Sequence, residues 1–329
     1  MNSICVFAKT SFEMKKCIFI CLSFLIFACS FPLCACKHVK KPKISEQLEM
    51  EKTGGVVQPI INVFNTTTNK IERMPLESYV MGVVAGEIDS DFPSEAIKAQ
   101  AVLARTFALY FVDNGTSKYE GADISTDIQE AQAYAPEKIT DEIAQAVAET
   151  QGKVLALGGN FVPSWFHSNS GGKTATVEEG FGNENFEPEF VKMVSSPENA
   201  DNSQNAIWNV WLSRSEILSA IKKMGKQVES VSKIAVGKTG PSGRALTLLF
   251  GKDEVTAPEF RRAVGTTKMK STFITNISVD SSGATFSGKG YGHGVGLSQW
   301  GAKVLAEDGN DYIDILKHYF AKIDIVDLY

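Results

Sequence analysis

The sequence predicts an α+β fold, in which helices and strands follow one another without the regular alternation of a parallel sheet. Two observations support this class. Segments with apolar residues at helical spacing, such as residues 76–87 and 99–111, lie among short runs of β-branched and aromatic residues. Beyond residue 59 the chain shows neither an internal repeat nor a clear change in composition. We therefore expect a single domain over residues 59–329.

The N-terminus carries the pattern of an export signal. Lys15 and Lys16 precede an almost wholly apolar run of roughly 19 residues, which is long enough to span a bilayer. The sequence Leu-Cys-Ala-Cys at 33–36 is typical of a lipoprotein cleavage site, with Cys36 as the lipidated residue. Residues 1–36 are therefore expected to be a cleaved signal peptide, a lipoprotein anchor or an uncleaved membrane helix. Each alternative places the rest of the chain outside the cytoplasm.

Composition excludes several classes of protein. All six cysteines precede residue 37, so the folded part can hold no disulfide, no cysteine-ligated zinc and no thiol nucleophile. The formal net charge of −5 argues against a nucleic-acid partner, because proteins that bind a phosphate backbone usually present a basic face. Residues 37–58 are polar with little apolar periodicity, and they are expected to form a flexible linker.

The first predicted elements are strands at 60–64 and 70–74, followed by a helix over 76–87 whose apolar residues share one face. Pro93 is expected in the first turn of a second helix, and Thr140 is expected to cap a third. The remaining predicted elements are a hairpin across Gly158-Gly159-Asn160, a helix capped by Ser213 and Glu216, strands at 231–237, 245–250 and 272–279, and helices after Ser298 and over 313–320.

Glu87 falls on the otherwise apolar face of the first helix, eleven residues after Leu76. Burial raises the pKa of a carboxylic acid, and a Glu with a pKa near 6 can donate a proton to a glycosidic oxygen close to neutral pH. The alternative is that the helix ends at Gly86 and that Glu87 turns to solvent. Gly82 and Gly86 are unfavourable in a helix interior, which indicates that another segment or a ligand approaches the backbone closely beside Glu87.

Arg105 is a charged interruption in the apolar helix at 99–111. Its guanidinium requires an anion or carbonyl groups, and a structural ion pair is the usual explanation. Pairing with Glu87 would lower the pKa of Glu87, and Glu87 could then no longer donate a proton near neutral pH. We therefore expect Arg105 to bind either a different carboxylate or the substrate.

Three motifs resemble the signatures of the stage II sporulation protein D family, and they occur in the order found in that family. They are LESYVMGVVAGEIDSDFPSEAIKAQAVLARTFAL (76–109), FHSNSGGKT (166–174) and GYGHGVGLSQWGA (290–302). The resemblance covers about residues 59–329 and implies one extended domain with a binding cleft. The better-studied members are lytic transglycosylases that cleave peptidoglycan glycan strands, preferentially strands without stem peptides. Other members are amidase enhancers.

The resemblance implies that Glu87 is the single catalytic acid/base. It also implies a set of polar and glycine residues that bind substrate: Lys98, Arg105, His167, Ser168, Ser170, Gly171, Gly172, Lys173, His293, Ser298 and Gln299. Several relatives carry a Cys/His zinc site where this chain has residues 123–134, but Ala131 stands here in place of the Cys. We therefore expect no metal and no cofactor. Another metal held by Asp123 and Asp127 is the alternative.

The motifs around the two histidines allow other interpretations. The loop from His167 to Lys173 can present hydroxyl and backbone N–H groups to a polysaccharide, although a histidine at the end of a strand is often structural. Trp165, Tyr291 and Trp300 are candidate stacking platforms for sugars, with core packing as the alternative.

We therefore expect a membrane-anchored, wall-facing lytic transglycosylase whose partners are glycan strands. A cell-wall amidase or a sporulation engulfment complex is a further expected partner. Two other functions stay open. The protein could be a non-catalytic, wall-binding enhancer of a separate N-acetylmuramoyl-L-alanine amidase. It could also be a glycoside hydrolase that uses water, which would need a second carboxylate.

Overall fold

Helices and strands are mixed along the chain in the computed structural model, which describes residues 39–89, 91–182, 185–204 and 206–329. The helices are α1 (Leu76–Glu87), α2 (Ser94–Asn114), α3 (Asp141–Glu149), α4 (Val177–Phe181), α5 (Arg214–Lys223), α6 (Ala257–Val264), α7 (Gln299–Glu307) and α8 (Tyr312–Tyr319), with a 3-10 turn at Pro136–Lys138. The predicted signal or anchor at 1–36 lies outside the described residues. Within the described ranges, no helix is long and apolar enough to cross a membrane.

Within the described residues, the strands form five small sheets. They are β1 (Glu49–Thr53), β2 (Val56–Asn65), β3 (Lys70–Pro75), β4 (Ile124–Ser125), β5 (Lys153–Leu157), β6 (Asn160–Phe161), β7 (Phe166–His167), β8 (Ile207–Ser213), β9 (Ile234–Val236), β10 (Thr247–Phe250), β11 (Asp253–Thr256), β12 (Ile274–Val279), β13 (Gly283–Lys289), β14 (Leu297–Ser298) and β15 (Asp324–Asp327). The strand orders are β1-β2-β3 with β4 beside β2, β15-β5-β6, β14-β7, β12-β13-β8 and β11-β10-β9.

The first hydrophobic core is built around α1 and α2. Tyr79, Val80, Val83 and Val84 of α1 are fully buried, and α2 contributes Ile97 and a series of buried alanines. A helix whose sides are nearly all apolar has to lie in the interior, and small side chains let neighbouring helices approach closely. Residues from β2, β5, α3, α7 and α8 complete this core. Chain segments from near both ends of the described region therefore enclose α1.

A second core lies entirely within residues 208–286. It packs α5 and α6 against the sheets β12-β13-β8 and β11-β10-β9. The predicted capping box at the start of α5 is confirmed, since the Ser213 and Glu216 side chains bond each other's backbone N–H groups.

A short parallel pairing joins two segments that the site requires. Phe166 and His167 of β7 lie beside Leu297 and Ser298 of β14, about 130 residues further along the chain. The chain between the hairpin and β7 is irregular, since β6 ends at Phe161 and β7 begins only at Phe166. That break lets Phe166 and His167 leave the hairpin and pair with β14.

The predicted flexible linker is shorter than expected. Glu49–Thr53 forms β1, which pairs antiparallel with the start of β2 across a turn at Gly54 and Gly55. Arg73 of β3 reaches across this sheet and pairs with Glu49 at 2.5 Å and with Glu51 at 2.6 Å. Two charges of the predicted linker, Glu49 and Glu51, are therefore partners of a side chain two strands away on an exposed part of the sheet.

Candidate functional site

The candidate site is a groove with two arms that meet at Glu87. One arm is a cavity of about 330 Å³ and the other a cavity of about 570 Å³, and both are lined by Gly86, Glu87, Ser168 and Gln299. The smaller cavity, the polar arm, is further lined by Phe92, Asp89, Lys138, Gln204 and Trp300. The larger cavity, the aromatic arm, is further lined by Phe107, Gln132, Trp165, His167, Phe181, Tyr291 and His293. An extended ligand can therefore pass Glu87 with units on either side of it.

Glu87 is the last residue of α1, and its side chain is partly buried at the junction of the arms. Its Oε1 accepts a hydrogen bond from the backbone N–H of Ala133 at 2.7 Å. Burial raises the pKa of Glu87 to about 6, against opposing hydrogen bonds from the Ala133 backbone and the Gln299 side chain. The carbonyl end of a helix also disfavours negative charge. The alternative in which Glu87 turns away to solvent does not apply.

The two glycines of α1 admit the loop that holds Glu87. A Cβ on Gly86 would lie 2.8 Å from backbone atoms of Ala133 and Tyr134, and a Cβ on Gly82 would collide with the Tyr134 ring. The N–H of Ala135 donates to the carbonyl of Gly82 at 2.9 Å. The predicted close approach to this helix is confirmed, and the approaching segment is the loop that carries the hydrogen-bond donor to Glu87.

Gln299 and Ser168 enter the groove from the paired strands β14 and β7. Gln299 begins α7, and its Nε2 lies 3.5 Å from Oε1 of the buried Gln100. The backbone N–H of Trp300 donates to the carbonyl of Ser168 at 3.0 Å, which ties the two segments together. Gln299 is thereby held beside Glu87 at the start of a helix, and Ser168 directly follows the strand β7.

His167 and His293 face the aromatic arm with ring centroids 5.7 Å apart. Nδ1 of His167 lies 3.1 Å from the carbonyl of Val295, so this nitrogen carries the proton, and the buried Nε2 has no hydrogen-bond partner among the described residues. Burial lowers the pKa of His293 to about 3 and that of His167 well below its ordinary value. Both rings are therefore neutral, and Nε2 of His167 is an acceptor.

Arg105 does not line the groove, so the structure contradicts its predicted substrate-binding role. Its side chain is fully buried and forms a two-pronged ion pair with Glu77, with Nε–Oε1 at 2.8 Å and Nη2–Oε2 at 2.6 Å. Its Nη1 donates to the carbonyl of Lys153 at 3.0 Å. The other predicted partner, a different carboxylate, is the one observed.

Lys98 and Lys173 also lie away from both arms. Lys98 bridges Glu95 at 2.7 Å and Glu149 at 2.6 Å, which links α2 to α3. Lys173 donates from Nζ to the carbonyl of Pro241 at 3.0 Å. In place of the predicted contacts with substrate, both side chains make contacts within the protein.

Most of the loop after Ser168 is turned inward around the buried carboxylate of Glu198. Ser170 donates to Glu198 Oε1 from its backbone N–H at 2.7 Å and from its hydroxyl at 2.6 Å, and the Ser298 hydroxyl donates to the same oxygen at 2.6 Å. Gly171 and Gly172 have positive φ and complete the turn. Ser170 and Ser298 therefore have a structural role and hold β7 against β14. None of these four residues lines either arm.

The two carboxylates of the alternative metal site, Asp123 and Asp127, are held by contacts within the protein. Asp123 Oδ2 accepts from the backbone N–H of Asn62 at 2.7 Å, and Asp127 pairs with Lys118 at 2.6 Å. The hydrogen bond from Lys118 lowers the pKa of Asp127 to about 2. Across the described ranges, no three His, Cys, Asp or Glu side chains are grouped as metal ligands.

The candidate stacking residues divide between packing and the groove. Trp300 meets Phe92 edge-on at 5.3 Å in the polar arm, and Trp165 packs against Phe181 at 5.2 Å in the aromatic arm. Each therefore serves the core and lines the groove. Sequence reasoning missed Lys138 and Gln204, since neither lies in a motif.

Comparison with known proteins identifies the family. Residues 64–157 match a model described as stage II sporulation protein, and residues 167–296 match a domain of unknown function (DUF8618). The chain is 30% identical over 285 residues to stage II sporulation protein D of Bacillus subtilis, which covers 79% of this chain and 77% of that protein. It is 31% identical to an uncharacterized protein of Brachyspira hyodysenteriae, covering 80% of this chain and 70% of that protein.

A further relative is the amidase enhancer of Bacillus subtilis, which is 29% identical over 73% of this chain but only 39% of its own length. The chain belongs to the stage II sporulation protein D family. The resemblance predicted from the three motifs is confirmed.

Proposed function

We propose that this protein is a lytic transglycosylase that cleaves the glycan strands of peptidoglycan, with Glu87 as its acid/base. Membership of the family supports a role at the cell wall. The observation that carries the proposal is the position of Glu87, a carboxyl group with a pKa raised to about 6, at the junction of the two arms. A strand lying along the groove presents one of its linkages to this group.

The reaction needs two proton transfers. Protonated Glu87 gives its proton to the glycosidic oxygen as the bond from that oxygen to C1 of the muramoyl residue breaks. The resulting carboxylate takes the proton of the muramoyl 6-hydroxyl as that oxygen bonds to C1. No water is consumed, and the product ends in an anhydro sugar. Because the nucleophile is already attached to the sugar, positioning replaces the second carboxylate that hydrolysis requires.

Two neutral groups support these transfers. The N–H of Ala133 donates to Oε1 of Glu87, which holds the rotamer of the side chain. Gln299 can offer its amide to the sugar or to Glu87 without adding charge. A cation in the same place would lower the pKa of Glu87 and remove its proton near neutral pH.

The experiment is a product assay on peptide-free glycan strands. We expect Glu87→Gln to reduce kcat by about 10²- to 10⁴-fold, the usual contribution of a general acid/base. Mass spectrometry of the wild-type products should show sugars one water lighter than hydrolysis products. We also expect kcat/KM to fall as the pH rises above about 6, because the free enzyme must be protonated at Glu87.

Glu307→Gln is the matched control, since Glu307 is also the last residue of a helix but is exposed. It should leave cleavage unchanged. Undiminished cleavage by Glu87→Gln would rule out the assignment, and products with a full water would identify a hydrolase instead.

A second candidate function is suggested by the amidase enhancer relative. In that case the groove binds the strand, and a separate N-acetylmuramoyl-L-alanine amidase is stimulated without cleavage by this chain. Glu87→Gln would then stimulate the amidase as well as wild type does.

A sporulation engulfment complex is a further proposed partner. The test for it is co-purification of this protein with the complex from the envelope of sporulating cells.

We also propose that residues 1–36 export the protein and anchor it at the membrane, by Cys36 or by an uncleaved helix, so that residues 59–329 face the wall as one catalytic domain. Labelling with radioactive palmitate in wild type and in Cys36→Ala distinguishes the two anchors.

A further inference from the structure

The two arms of the groove differ in charge. Lys138 lines the polar arm, and it is the single Lys or Arg among the described residues that line either arm. Its side chain is exposed and forms no ion pair with a described residue, Asp89 of the same arm included. An unpaired cation beside the reacting position is suited to an anionic group on the ligand.

The backbone holds Lys138 in a fixed place relative to Glu87. The segment that ends at Lys138 begins with Ala133, the donor to Glu87, and continues through Ala135, which bonds the carbonyl of Gly82 at 2.9 Å. The N–H of Lys138 then donates to the carbonyl of Ala135 at 3.0 Å. The same short segment therefore positions the acid and the cation.

The aromatic arm offers hydrogen-bond acceptors and ring faces but no cation. Nε2 of His167 and Oε1 of Gln132 are buried in this arm without a hydrogen-bond partner among the described residues. Buried polar atoms without partners are costly, so a ligand that brings N–H or O–H donors is favoured here. Trp165, Phe181 and Tyr291 supply apolar surface for the faces of a sugar.

Peptidoglycan strands alternate a sugar that bears a lactyl carboxylate with a sugar that bears none. We infer that the carboxylate-bearing sugar of the cleaved linkage occupies the polar arm with its carboxylate on Lys138, and that the uncharged N-acetylated sugar occupies the aromatic arm. This inference rests on the proposed function and deepens it, because it fixes the direction of the strand in the groove. It also assigns the attacking 6-hydroxyl to the polar arm.

A stem peptide converts the lactyl carboxylate into an amide and removes its charge. Lys138 then has no lactyl carboxylate to bind, so the polar arm favours sugars whose lactyl carboxylate is free. Asp89, which is exposed in the same arm, accepts hydrogen bonds from hydroxyl or acetamido groups and does not replace Lys138 as a partner for an anion.

The test measures binding without cleavage. In the Glu87→Gln background, calorimetry compares peptide-free strands with the same strands after their carboxylates have been converted to methylamides. We expect the free-carboxylate strands to bind about fivefold more tightly at low salt, the size expected for a partly exposed ion pair. Adding Lys138→Gln should make the two affinities equal. Lys233→Gln, which changes an exposed lysine outside both arms, should keep the fivefold preference.

Two results would overturn the assignment of the arms. One is an unchanged preference in the Lys138→Gln protein. The other is an equal loss of affinity for both kinds of strand, which would mean that Lys138 shapes the arm but does not bind the carboxylate of the sugar. Cleavage by the wild-type protein is assayed separately. A preference that depends on Lys138, in a protein that cleaves nothing, would refute the proposed function and the direction of the strand, and would leave Lys138 established as a contact of the lactyl carboxylate.

Discussion

The two ends of α1 carry the same side chain in opposite settings. Glu77 lies in the first turn, and its carboxylate receives Arg105, the N–H of Gly152 at 3.2 Å and the hydroxyl of Tyr329 at 2.5 Å. Glu87 lies at the last position, where its one backbone donor is the N–H of Ala133. The two carboxylates are therefore ten residues apart on one helix, and Glu77 accepts several hydrogen bonds where Glu87 accepts few.

The difference shows how a fold assigns a structural or a chemical role to a buried acid. The N-terminal end of a helix favours negative charge and the C-terminal end disfavours it. A guanidinium compensates the charge of Glu77, whereas Glu87 has only neutral donors and a raised pKa. The Glu77 carboxylate has a structural role, because its charge is compensated within the protein. Glu87 can exchange its proton, and its place in the groove makes that exchange useful.

The largest expected effect comes from removing the cation at the structural end. Arg105→Met leaves Glu77 as an uncompensated buried charge, so we expect the free energy of unfolding at neutral pH to fall by about 3–5 kcal/mol. Urea denaturation followed by circular dichroism measures this change.

The double variant Glu77→Gln/Arg105→Met should recover much of that loss, since it removes both charges. A loss below about 1 kcal/mol in the single variant, typical of an exposed pair, would show that the ends of α1 are less different than the contacts indicate.

Removing the charge at the other end should have the opposite sign. Folding raises the pKa of Glu87 from an ordinary 4.5 to about 6, so the folded state favours the protonated form. The stability that this provides is complete below about pH 4.5 and is lost as the pH rises through 6. At pH 7.5 the ionised group therefore costs about 2 kcal/mol, and Glu87→Gln should recover that amount. Denaturation curves at pH 4.5 and 7.5 measure it.

The gain should be absent at pH 4.5, where wild type is itself protonated. Glu307→Gln again serves as the control and should show little difference between the two pH values. A destabilised Glu87→Gln protein at pH 7.5 would mean that the charge of Glu87 is compensated in the groove, which would weaken its case as an acid.

Local pattern was enough to predict α1 and the face on which Glu87 lies. The apolar spacing of a helix can be recognised within a dozen residues. Gly82 and Gly86 indicated a close neighbour, because glycine destabilises a helix interior and needs another reason to be there. That neighbour is the loop at Ala133, which lies 46 residues from Glu87 along the chain. No sequence pattern in the loop indicated that it packs against the helix.

The partner of Arg105 could not be predicted for the same reason. The sequence showed that its guanidinium needs an anion, but Glu77 is 28 residues away, and Tyr329, which shares that carboxylate, is 252 residues from it. Family motifs also mark residues that hold the fold as readily as residues that touch a ligand. Ser170 and Ser298 belong to family motifs, but they are buried and their hydroxyls donate hydrogen bonds to Glu198. Lys138 belongs to no motif, but it lines the groove.

The smallest expected effect concerns a lysine that sequence reasoning placed at the substrate. Lys98 is 16% exposed and bridges Glu95 and Glu149, and these contacts raise its pKa. Because the pair is near the surface, Lys98→Gln should lower the free energy of unfolding by less than about 1 kcal/mol, with a loss that shrinks in high salt. Cleavage of peptide-free strands should be unchanged, in contrast to Lys138→Gln. A large rise in KM for the Lys98 variant at full stability would place this lysine with the ligand after all, and the groove would then extend along α2 beyond the two arms.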